Sequence, residues 1–192
     1  MSDENNSAWV LASLNTLISA VMNSDGTDLD TTVAKYLDWQ SAIDYFIFTV
    51  LMCGKDMVRK NYLLVTYDGV KWFFSAYDMD STYGIQWDGK GFDSANGYPF
   101  LNDYNHRVME LIYTYKKNEL LARYEEIRNT VMSEDNVALA FSNFINKIPS
   151  TVYMEDAKKW PGIPSTAANN LAQILNWYRM RVAVLDKEME NV

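Results

Sequence analysis

Asp56 and Asn61 stand five residues apart in Asp56-Met57-Val58-Arg59-Lys60-Asn61, directly after Gly54-Lys55. Asp78 and Asp80 follow in Tyr77-Asp78-Met79-Asp80-Ser81-Thr82-Tyr83-Gly84. A carboxylate, an amide oxygen and one or two more carboxylates are the groups a phosphoryl-transfer site needs. One carboxylate orients an attacking hydroxyl, and hard oxygen ligands hold a divalent cation against the phosphates. An Asp followed by an Asn at the fifth position, with a hairpin before the metal-binding Asp, is the spacing such sites use in protein kinases. Asp-x4-Asn alone carries little information. The preceding Gly54, the Asp68-Gly69 turn and the Asp-x-Asp at the hairpin's end make the combination more specific.

These groups need a hairpin to bring them together. Tyr62 to Tyr67 and Val70 to Tyr77 are β-branched and aromatic, and Asp68-Gly69 between them predicts a two-residue hairpin turn. In an antiparallel ribbon the start of the first strand adjoins the end of the second, so Asp56, Asn61 and Asp78 should share one cation at that end. The rest is helical. Apolar spacing predicts helices over 7–23, capped by Ser7, and over a short stretch Asp30 to Leu37, capped by Asp30. A mostly apolar helix follows from an Asp38 cap to Cys53, with Gly54 as its stop. Further helices are expected over 104–116, 118–131, 134–147 and 166–189, punctuated by Pro149 and Trp160-Pro161-Gly162-Ile163-Pro164. Residues 78–103, rich in Asp, Gly, Asn and Ser, read as one long loop of the kind that is functional or disordered. The fold class is α+β, mainly α-helical, with one central β-hairpin. The chain is expected to form a single domain: helical over 1–54, catalytic-type loop and hairpin over 55–80, loop over 81–103, helical over 104–192.

The segment Tyr36-Leu37-Asp38-Trp39-Gln40-Ser41-Ala42-Ile43-Asp44-Tyr45-Phe46, then Gly54-Lys55-Asp56, Lys60-Asn61-Tyr62-Leu63-Leu64, Lys71-Trp72-Phe73-Phe74 and Tyr77 to Gly84, resembles the spore-coat protein H (CotH) kinase family. The likeness covers 30–90 well and the helical remainder loosely. It implies an atypical protein-kinase-like fold that uses ATP and Mg²⁺ or Mn²⁺ to phosphorylate Ser in protein substrates. It also implies Asp56 as catalytic Asp, Asn61 and Asp78 as metal ligands with Asp80 additional or alternative, and Lys55 and Arg59 as residues assisting with phosphate charge. The resemblance is to the C-terminal, kinase C-lobe-like part. No phosphate-cradling G-x-x-x-x-G-K-[ST] appears, and the glycines of 84–97 come after the metal Asp. A nucleotide-binding N-lobe is therefore expected in cis or trans, and the isolated chain is expected to be inactive. The alternative is a non-catalytic structural or partner-binding module of a phage particle, spore coat or cell-surface assembly.

Composition sets outer limits. The chain has 192 residues, 48% hydrophobic, 22% charged and 14% aromatic, with only 8 Gly and 4 Pro, which suits a packed core. Its net charge of −8 argues against nucleic acid and anionic membrane surfaces as partners. A single Cys and a single His leave no disulfide and no Cys- or multi-His metal site within the chain. The acidic N-terminus is unlike a secretory signal, and the longest apolar run, Ile43 to Cys53, is too short to span a bilayer. This is compatible with cytoplasmic production and assembly into a coat or particle. Plainer roles compete for several residues. Asp56 and Asn61 suit a helix end and a strand start, and Asp78 and Asp80 suit a solvated loop. His106 reads as a structural residue at a helix start, and Cys53 as a small core residue. Arg179, Arg181, Lys158 and Lys159 read as solvated faces. Trp87, Phe92, Tyr98 and Phe100 either fold onto the domain or meet a partner.

Overall fold

Asp38 starts the helix on which the rest of the fold is assembled. Its carboxylate accepts from Ser41 N at 2.8 Å, and the helix runs Trp39–Met52. In the computed structural model, which describes residues 4–90, 93–99, 106–163 and 170–190, the helices are α1 (Glu4–Asn23), α2 (Trp39–Met52), α3 (Arg107–Tyr115), α4 (Lys117–Asn129), α5 (Glu134–Ile145), α6 (Ser150–Lys159) and α7 (Leu171–Met189). One antiparallel pair, β1 (Tyr62–Thr66) and β2 (Trp72–Ala76), lies between α2 and α3 in sequence. The fold is mainly helical α+β. Short 3-10 turns occupy Val33–Lys35 and Asp56–Val58. No helix is long and apolar enough to cross a membrane among the described residues.

α2 is apolar on most faces because it is surrounded. It touches β2, α3, α4 and α7, and Phe46, Ile47, Val50 and Leu51 are fully buried. Cys53 is buried, as expected, and ends this helix itself in a left-handed conformation (φ 55°). Gly54, expected as the stop, is needed for a close approach instead: a Cβ there would fall 2.3 Å from Met57 Sδ.

The register pairs Tyr62 with Ala76 and Thr66 with Trp72, which leaves five residues, 67–71, in the connection. The expected two-residue turn is therefore not formed. The Asp68 carboxylate accepts from Val70 N and Lys71 N, both at 2.8 Å, and this side-chain-centred turn replaces the tighter one. Gly69 takes φ +75° within it, close to Trp9, and its carbonyl accepts from Ser13 Oγ at 2.6 Å. Thus α1 holds the hairpin's tip.

Other expectations are corrected. Ser7 lies inside α1, not at its cap. Asp30 caps no helix; its carboxylate accepts from the buried Lys116 Nζ at 2.6 Å, and only Val33–Lys35 is helical there. α6 was not expected; Pro149, read as punctuation between helices, is its N-cap, and the helix buries none of its residues. The positions 104–105 and 166–169 of two expected helices lie outside the described residues. Arg179 does lie on an exposed face, bound to Glu134. Lys158 and Lys159 are exposed too. Arg181, two residues on from Arg179, is completely buried. On α7 it shares the inward face with Trp177, Tyr178 and Leu185, and this spacing carries it into the interior.

Candidate functional site

The loop from Gly54 to Asn61 is fixed from beneath by α2. Tyr45 Oη donates to Met57 O at 2.6 Å and approaches Asn61 O at 3.3 Å. Burial pushes this phenol up to about 12. Met57 and Val58 are buried, which anchors the turn, while Asp56 is half-exposed and Arg59 and Lys60 are exposed. The backbone carbonyl of Asp56 accepts from Lys60 N at 3.0 Å and Asn61 N at 3.1 Å. The carboxylate of Asp56 pairs with Lys60 Nζ at 3.0 Å. Asp56 and Asn61 thus bracket one turn whose apolar residues face the core and whose polar ones face outward.

Asn61 directly precedes β1, and Asp78 lies two residues beyond β2. With Tyr62 opposite Ala76, the two flanks meet, and Asn61 Nδ2 donates to Asp78 O at 3.0 Å. Asp78 takes φ 53°, a left-handed conformation that Asp tolerates better than most residues. That twist turns the chain sharply off the end of β2. Asp78 and Asp80 are exposed, and Asp80 Oδ1 lies 3.5 Å from Ser81 Oγ. Behind them Tyr83 ties the segment down: its N–H donates to Met52 O at 2.9 Å, and its ring packs edge-on against Phe141 and Trp177.

The hairpin's inner face is aromatic. Tyr45 stacks on Phe74 with ring centres 5.2 Å apart, and Tyr62 lies 5.3 Å from Phe74. His106 closes this cluster. Its Nδ1 accepts from Val108 N, which makes it the N-cap of α3, and its Nε2 lies 3.1 Å from Tyr62 Oη. Burial pushes its imidazole down. His106 is structural, as its position suggests.

Lys55 reaches the long loop, where it meets Asp93 Oδ2 at 2.7 Å. Sequence reasoning missed Asp93, which lies 38 positions away. It also missed Arg181, which donates to Val50 O, Ala95 O, Gly97 O and Pro99 O and so clamps the loop onto α2. The described parts of that loop contain no helix or strand. Tyr98 packs against the core and its carbonyl accepts from Cys53 Sγ at 3.0 Å, whereas Trp87 is 79% exposed. Phe92 and Phe100 lie outside the described residues.

The candidate ligands are all oxygen donors, which suits Mg²⁺ or Mn²⁺ rather than a softer metal. Among the described residues no three His, Cys, Asp or Glu side chains gather as a metal cluster. A cation at this end of the hairpin would therefore need water and phosphate oxygens beside any protein ligands, the mixed shell that Mg²⁺ commonly keeps. A family model described as CotH kinase protein matches residues 2–185. No curated protein and no solved structure matches the chain.

Proposed function

The chain belongs to the CotH kinase family, and from that premise we propose that it is an atypical protein-kinase-like domain whose loop and hairpin carry Mg-ATP phosphoryl-transfer residues. The observation that supports this reading is the bond from Asn61 Nδ2 to Asp78 O, which joins the two flanks of the hairpin at the end where the Asp56 turn leads into β1. In this reading Asp56 takes the proton of a Ser hydroxyl on a protein substrate while that oxygen attacks the γ-phosphorus and ADP leaves. The half-exposed placement of its carboxylate supports that role. Asn61 and Asp78, with Asp80 as an additional or alternative ligand, would hold Mg²⁺ or Mn²⁺. When bound, that cation supplies charge neutralisation across the phosphates. Lys55 and Arg59 would offset phosphate charge from the same loop. The chain contributes the C-lobe part, and a nucleotide-binding lobe acts with it in cis or trans.

A second reading, a non-catalytic module of a phage particle, spore coat or cell-surface assembly, is favoured by α6. That helix buries nothing and exposes Val152, Tyr153 and Met154. Radiolabelled ATP with Mg²⁺ or Mn²⁺, given to the full-length natural protein, separates the two. Transfer to protein that disappears in Asp56→Ala supports the enzyme. No transfer supports the module, and transfer that Asp56→Ala leaves unchanged overturns the enzyme reading built on Asp56.

A further inference from the structure

The Lys55–Asp93 pair is built asymmetrically. The Asp93 side chain is 17% exposed and that of Lys55 42%. Asp93 is held at every polar group it has. Its Oδ1 accepts from Gln86 Nε2 at 2.8 Å, its N–H donates to Gly84 O at 2.6 Å, and its carbonyl accepts from Trp177 Nε1 at 2.9 Å. Trp177 is itself 1% exposed, and Arg181 secures the next residues through Ala95 O and Gly97 O. Lys55, by contrast, is a flexible four-carbon stem on the residue next to Asp56, and its backbone N–H donates to Cys53 O at 3.0 Å. A rigid carboxylate therefore fixes a mobile ammonium, and not the reverse.

Taking the phosphoryl-transfer reading above as its basis, we propose that Asp93 is a positioning residue that holds the Lys55 ammonium ready to bind nucleotide phosphate. An ammonium has three donors. One is spent on Asp93 Oδ2 at 2.7 Å, and the partial exposure of Lys55 leaves the other two reachable by phosphate oxygens. A lysine left loose would have to lose its rotamer freedom on binding, and one already fixed by Asp93 does not. Asp93 thereby belongs to the site, its carboxylate held by Gln86 and its backbone by Trp177, with Arg181 on the carbonyls of Ala95 and Gly97.

The test is calorimetric titration of MgATP into the full-length natural protein, with thermal melting of each variant as a fold control. Asp93→Asn and Lys55→Met are each expected to weaken binding about threefold to tenfold, within the lower part of the range of a contacting pair's coupling. The double variant should bind no more weakly than Lys55→Met alone, because Asp93 acts only through Lys55. A Lys55→Met variant that binds like wild type overturns the proposal even if Asp93→Asn does not fold. An Asp93→Asn effect of the same size in the Lys55→Met background also overturns it, since the role would then be structural. If wild type binds MgATP but transfers no phosphoryl group, the enzyme reading fails while the binding cycle still decides this one. If wild type binds no MgATP, both fall.

Discussion

Tyr45 reaches from the middle of α2 to place its hydroxyl 2.6 Å from the Met57 carbonyl oxygen, so the most buried helix directly holds the turn that carries Asp56. The same hydroxyl lies 3.3 Å from Asn61 O, at the other end of that turn. Tyr45→Phe keeps the ring that stacks on Phe74 and removes only this hold. Its expected effect on stability is a loss of about 1 kcal/mol, the net worth of one hydrogen bond, read as a lower urea midpoint. Hydrogen exchange at 57–61 should rise more than exchange in α2. Equal exchange in the two segments would show that the loop is held some other way.

Alkaline pH tests the same packing. Burial raises the phenols of Tyr45 and Tyr83 to about 12, so each stays protonated in the fold where it would ionise in the unfolded chain. The unfolded state then holds fewer protons, and stability declines as pH rises from about 10 toward 12. Urea midpoints at pH 9 and pH 11 should differ, and the fall should be smaller in Tyr45→Phe. An unchanged fall in that variant would remove Tyr45 from the account.

The hairpin and its flanking polar residues were legible because their signals are local. Runs of β-branched and aromatic residues mark Tyr62–Thr66 and Trp72–Ala76, and Asp38 is a helix cap by residue type and place. What was illegible depends on distant partners. Asp30 looks like a cap until Lys116, 86 residues away, takes its carboxylate. Arg181 looks solvated beside Arg179, because nothing near it in sequence reveals the carbonyls of Val50, Ala95 and Gly97 that receive it. Asp93 and Lys55 are likewise neighbours only in space. The turn at Asp68-Gly69 was misread for a different reason: the dipeptide fits a tight turn, but the Asp68 carboxylate captures two backbone N–H groups and widens it.

Arg181 gives the largest predicted single loss. Burial lowers its pKa, yet the guanidinium is fully enclosed and donates to carbonyls from α2 and from the loop. Arg181→Met fills similar space but removes the guanidinium hydrogen bonds to those carbonyls. The expected destabilisation is about 3 kcal/mol or more. Limited proteolysis should cut the variant first within 93–99. Cleavage elsewhere first, with those residues still protected, would mean that Trp177 and Cys53 hold the loop without Arg181.

His106 gives a prediction with a single reporter, because it is the only histidine in the chain. Its Nδ1 accepts from Val108 N at 3.3 Å, so the ring proton sits on Nε2 and points to Tyr62 Oη at 3.1 Å. Protonation would place a second N–H against the Val108 donor, and would add positive charge at the start of α3, where the helix dipole opposes it. Burial acts in the same direction and pushes the imidazole below 6.5. The unfolded chain therefore takes up this proton at a higher pH than the fold does. Stability is complete above about pH 6.5 and falls as pH drops below it, with a slope of at most about 1.4 kcal/mol per pH unit for one proton. The single imidazole resonance, followed by NMR, should titrate below the unfolded value. Urea midpoints should drop between pH 7 and pH 5.5. His106→Asn keeps an acceptor at the N-cap and cannot titrate, so its midpoint should be nearly flat over that interval. A slope in His106→Asn equal to that of wild type would assign the acid sensitivity to carboxylates instead.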